Sequence, residues 1–129
     1  MNNCNLVSIT NISASGNSNL DCAFSNFKPC TGITPSIGSN TLIEVTVDYK
    51  ILDFINFMLI KVRFFDSNGD LIIDGDCSPV LNLMCEGTQT MCGCELGSLT
   101  SGSYTIEVTL SATGPRCRQT LIKKETVSL

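Results

Sequence analysis

Residues 42 to 51 read Leu42-Ile43-Glu44-Val45-Thr46-Val47-Asp48-Tyr49-Lys50-Ile51. Successive side chains of an extended strand point to opposite faces, so Ile43, Val45, Val47, Tyr49 and Ile51 share one face and Glu44, Thr46, Asp48 and Lys50 the other. The two-residue period predicts a half-buried β-strand. Working outward, Met58 to Asp66 repeats it, with Ile60, Val62 and Phe64 inward and Lys61 and Arg63 outward. Ser67-Asn68-Gly69-Asp70 then offers the Asn-Gly pair that accepts the positive φ of a tight hairpin, and Leu71 to Asp74 is the returning strand. Ser103 to Ala112 alternates again, Tyr104, Ile106, Val108 and Leu110 against Thr105, Glu107, Thr109 and Ser111. Gly114-Pro115 turns the chain into a last strand from Cys117 to Leu129, where Leu121 and Ile122 break the alternation and predict a bulge.

The remaining segments carry weaker patterns. Leu6 to Ile12 reads as a shorter first strand, while Ser13 to Leu20 and Thr31 to Asn40 read as connections rich in Gly, Ser and Asn. Residues 75 to 98 read as a cysteine-held loop with one short strand at Val80 to Met84. No stretch keeps a 3.6-residue period, so helix is not expected. Short strands at regular spacing predict an all-β, antiparallel sandwich with disulfide-tied loops.

The chain has 129 residues, of which 43% are hydrophobic and 16% charged, the range of one folded domain and not of a disordered chain. A cysteine-bearing amino-terminal arm with the first strand (1–30) and a β-sandwich core (31–129) divide it. The net charge of -4 argues against the broad cationic surface of nucleic-acid and anionic-membrane binders. No run approaches the ~18 apolar residues of a membrane-spanning helix; the best, Phe54 to Ile60, contains Asn56. The sequence has no His. That removes the commonest general base, the Ser-His and Cys-His nucleophile pairs and every His-containing metal site, and the expectation is a protein without catalytic activity or cofactor.

Eight cysteines stand at 4, 22, 30, 77, 85, 92, 94 and 117. So many thiols, even in number, favour an oxidising final environment and a disulfide framework. Three lie before residue 31, four between 77 and 94 and one at 117; an odd group cannot close on itself, so complete pairing requires a bridge from the amino-terminal segment to the middle cluster or to Cys117. Cys92-Gly93-Cys94 would present both sulfurs on one face of a strand and calls for different partners. The gaps of Cys77, Cys85, Cys92 and Cys94 lack the paired C-x(2-4)-C knuckles that preform a zinc site. The beginning, Met1-Asn2-Asn3-Cys4, has no basic stretch followed by an apolar one. The expectation is therefore an extracellular or surface assembly, reached either after removal of a signal peptide or by oxidation after release.

Leu99-Thr100-Ser101-Gly102-Ser103-Tyr104-Thr105-Ile106-Glu107-Val108 resembles the L-x-x-G-x-Y stretch of fibronectin type III and related immunoglobulin-like domains. With the strands from 42 to 74 and the last strand, the resemblance spans 42 to 129. It implies an immunoglobulin-like β-sandwich in which Tyr104 hydrogen-bonds backbone just upstream, a tyrosine corner. The sequence has no Trp, and neither 42–51 nor 103–112 contains a Cys, so the inter-sheet bridge of antibody domains is not expected. The amino-terminal arm is also similar to the connectors of certain spore-appendage subunits, β-sandwich proteins cross-linked by disulfides.

Two functions compete. One is a structural or adhesive interaction module, a subunit of a disulfide-stabilised extracellular, coat, filament or virion assembly, forming a homo-oligomer or polymer through the amino-terminal arm. Cys4, Val7 and Ile9 would then contact the neighbouring subunit, by strand addition and a covalent lock. The other is a monomeric secreted module that binds calcium, a glycan or a protein. Asp66, Asn68 and Asp70 are the candidate calcium ligands, although Gly69 comes early for a D-x-[DN]-x-[DN]-G loop and a plain hairpin turn is the simpler reading. Arg116, Arg118, Lys123 and Lys124 gather positive charge, read as keeping an outer strand soluble.

Overall fold

The computed structural model describes residues 4–22, 26–32, 36–81 and 83–129, and within them the protein is all-β. The strands are β1 (Val7–Asp21), β2 (Asn26–Pro29), β3 (Ser36–Ile37), β4 (Asn40–Ile51), β5 (Phe57–Phe65), β6 (Leu71–Gly75), β7 (Ser78–Pro79), β8 (Glu86–Glu95), β9 (Ser103–Thr113) and β10 (Arg118–Ser128). They form one mixed sheet in the order β10-β9-β5-β6-β2-β8-β4-β1-β3, with β7 beside β5. Every pairing is antiparallel except that of β2 with β6.

The two-residue period set the core. Ile43, Val45, Val47 and Tyr49 of β4, Met58, Ile60, Val62 and Phe64 of β5, and Tyr104, Ile106, Val108 and Leu110 of β9 are all buried in a single cluster. β5 and β9 run in unbroken register from Phe57 opposite Thr113 to Phe65 opposite Thr105. Burying such side chains stabilises by about 1.5–3 kcal/mol each relative to exposure, before the entropy of ordering them. The sheet curls around this core until β1, near one end of the strand order, returns against β10 at the other. There Gln119 Oε1 accepts the backbone N–H groups of Leu6 and Val7 at 2.7 and 2.9 Å.

Four local expectations are corrected. The first strand does not stop at Ile12: β1 continues through Ser13 to Asp21, paired along its length with β4. Its apolar residues lose the simple alternation because the register shifts between Ile9 and Asn11, a bulge that carries the buried face from Val7 and Ile9 to Ile12 and Ala14. The last strand has no bulge at Leu121 and Ile122; β10 keeps continuous register with β9 from Arg118 to Ser128. Ile122 is simply an outward-facing, exposed side chain on that strand. Residues 75 to 98 contain the ten-residue strand β8, between β2 and β4, instead of a loop. Val80, Leu81, Leu83 and Met84 carry no strand, and Asn82 lies outside the described residues.

Candidate functional site

The cysteines define the most distinctive constellation. Cys4 bonds Cys117, Cys22 bonds Cys94, and Cys30 bonds Cys92, joining residues 113, 72 and 62 positions apart. Cys92 and Cys94 point to one face of β8 and take different partners. Together they hold both ends of the segment 22–30, of which residues 23–25 lie outside the described residues. Between the staples, β2 places Phe27 in the core, completely buried. Gly93 makes this possible from the other face of β8: a Cβ there would stand 2.9 Å from the Phe27 ring. Three bridges of this kind suggest an oxidising environment.

The contact assigned to a neighbouring subunit is made inside the chain. Cys4 is spent on Cys117, so its sulfur is not free to lock another subunit. Val7 is buried and opposes Ile51 of β4, and Ile9 opposes Tyr49. The arm is an integral strand because its Val, Ile and Ala side chains, few as they are, complete the face that β4 leaves open. Cys77 and Cys85 are the unpaired cysteines, both exposed.

Tyr104 is buried, its ring stacked on Phe64 with centroids 4.9 Å apart, and its hydroxyl donates to the Thr100 carbonyl four residues upstream. At the β5–β6 hairpin, Asp66 Oδ1 accepts the backbone N–H groups of Asn68 and Asp70, each at 2.9 Å, and Gly69 adopts φ 85°. Asp66 therefore caps the turn, and Asn68 and Asp70 are exposed beside it. Among the described residues, no group of three or more His, Cys, Asp or Glu side chains could hold a metal ion.

A cavity of about 270 Å³ lies next to this hairpin, lined by Asp66 and Glu95 together with Ser98, Ser101 and Ser103. Burial pushes the Glu95 carboxyl above its ordinary value. Arg63, on the outer face of β5, pairs with Glu107 at 3.2 Å and Asp74 at 3.5 Å, and Lys124 also reaches Glu107 at 3.9 Å. These pairs spread charge over the outer face of β5, β9 and β10. Sequence reasoning missed Gln119 and the pairing partner of Cys4; nothing in a strand of alternating polar residues signals that one amide oxygen will serve two backbone donors.

No family model matches the chain, and neither a curated protein nor a solved structure matches it.

Proposed function

We propose that this protein is a non-catalytic structural or adhesive interaction module of immunoglobulin-like architecture, a subunit of a disulfide-stabilised extracellular, coat, filament or virion assembly. The observation that carries this reading is covalent. All three bridges span long loops and tie the first thirty residues to the second half of the fold, while two cysteines stay exposed and unpaired. Cross-links over such loops restrict the unfolded chain strongly, by about 4 to 5 kcal/mol for a bridge taken alone in the chain-entropy account and less where a nested bridge has already shortened its loop, which suits a durable building block.

The strand neighbours support the architectural part. Lettering the principal strands in chain order, β1-β4-β8 follow the A-B-E neighbours of immunoglobulin-like domains and β5-β9-β10 their C-F-G neighbours, with β6 in the place of C′. The Tyr104 hydrogen bond adds to this. The alternative, a monomeric secreted module for calcium, glycan or protein, draws on the hydroxyl- and carboxylate-lined cavity beside the hairpin.

Oxidised, full-length protein analysed by light scattering and non-reducing electrophoresis is the deciding experiment. Multimers that dithiothreitol disperses are expected. A species that stays monomeric at every concentration and redox condition, yet binds calcium or glycan, favours the alternative.

A further inference from the structure

Six of the ten large apolar side chains that are exposed among the described residues lie at one end of the molecule: Leu52, Phe54, Phe57, Leu81, Leu83 and Met84. Backbone hydrogen bonds bring their segments together. Ile51 N–H donates to the Cys85 carbonyl at 2.8 Å, Val80 N–H to the Met58 carbonyl at 2.9 Å, and Leu52 N–H to the Leu6 carbonyl at 2.8 Å. Leu81 is 85% exposed, Phe54 68% and Met84 64%, more than scattered surface hydrophobics require. Cys85, exposed and unpaired, adjoins Met84 in the same crown.

We infer that this apolar end is a self-association surface, where a second copy of the chain docks crown to crown and the two Cys85 thiols join in an intersubunit disulfide. The inference rests on the assembly reading above and moves the covalent contact from Cys4 to Cys85, at the end of the β7–β8 connection. One observation and one symmetry argument favour a second copy as the occupant. The chain carries a net charge of -4, yet the charges beside the crown, Lys50, Arg116 and Arg118 against Asp53 and Glu86, sum to +1, so two acidic molecules meet here at a patch that does not share the negative charge of the rest of their surfaces. A two-fold contact also needs no complementary receptor, since the same patch serves on both sides and Met and Phe are residues that such interface cores favour.

The bond forms by thiol–disulfide exchange with a small-molecule disulfide. One Cys85 thiolate attacks it, giving a mixed disulfide and one small thiol; the second Cys85 thiolate then displaces the other small thiol. Two electrons reduce the small disulfide, and the protons of the two cysteines end on its two thiols.

The test uses oxidised full-length protein with a glutathione redox buffer, read by non-reducing electrophoresis, light scattering and peptide mapping. The expected result is a dimer whose mapped cross-link is Cys85 to Cys85, lost in Cys85→Ser and kept in Cys77→Ser. Phe54→Asp combined with Met84→Asp, both at exposed positions, is expected to lower dimer yield by roughly tenfold or more while leaving the fold intact by circular dichroism. A monomer whose Cys77 and Cys85 are bridged to each other overturns the inference. Multimers that persist in Cys85→Ser overturn it too but preserve the assembly reading, whereas a chain monomeric in every variant with both thiols free removes both.

Discussion

The β5–β9 ladder and the β2–β8 region sit in the same sheet and are secured by different forces. β5 presents four buried apolar side chains toward the core, from Met58 to Phe64, and β9 five, from Tyr104 to Ala112, and the two strands pair without a slip. β2 is four residues long, and β8 offers Met91 as its one large apolar contribution to the core. What β8 lacks in apolar area it replaces with sulfur: Cys92 and Cys94 pull the ends of the 22–30 segment onto it and so drive Phe27 inward. One region is thus stabilised by what it buries, the other by what it restricts in the unfolded chain, and only the second depends on redox conditions.

Unfolding by denaturant with and without reductant can break this contrast. The largest effect is expected for Phe64→Ala, which removes a completely buried ring and its stack on Tyr104; about 3 to 5 kcal/mol should be lost, equally in oxidised and reduced protein. Next, Cys22→Ser with Cys94→Ser should cost about 2 to 4 kcal/mol under oxidising conditions and close to nothing once reductant has opened the bridges of both proteins. If the reductant-independent loss is as large, the β2–β8 region is held by packing after all. Gln119→Ala should cost about 1 to 3 kcal/mol by orphaning the Leu6 and Val7 amides, and hydrogen exchange should accelerate at those two amides first. Tyr104→Phe removes only the hydrogen bond to Thr100 and should cost about 1 kcal/mol with the fold retained.

The smallest effect concerns pH. Because burial raises the Glu95 carboxyl, folding favours its neutral form; that contribution is present below the ordinary carboxylate range and is lost as pH rises through the folded value. Glu95→Gln should therefore flatten this part of the pH–stability profile, and an unchanged profile would place the titration elsewhere.

The same contrast explains what could be read from the sequence. β4, β5 and β9 were legible because one face of each is buried and the other is not, and a strand then writes its burial into every second residue. β8 was not, because its core-side positions read Gly87, Gln89, Met91 and Gly93, the small residues making room for bulky side chains supplied by other strands. β1 was legible only to Ile12, since the bulge after Ile9 changes the phase and the Ser- and Asn-rich remainder is held by main-chain pairing to β4. Cysteine spacing required the arm to bridge to later residues if every cysteine pairs within the chain, but could not say which, because sulfurs choose partners by distances that arise only after the sheet has curled.

Those pairings also constrain how the molecule can be made. Each bridge joins a cysteine among the first thirty residues to one at position 92 or beyond. As the chain emerges in order from its amino terminus, none of the native bonds can close until Cys92 has been synthesised, and the bond of Cys4 must wait for Cys117. Cys22 and Cys30 meanwhile stand exposed within a short distance of each other, where premature oxidation would produce a small non-native ring and a trapped intermediate. A cell that makes this protein gains from keeping it reduced until translation is complete, so that oxidation acts as an inspection of the finished fold.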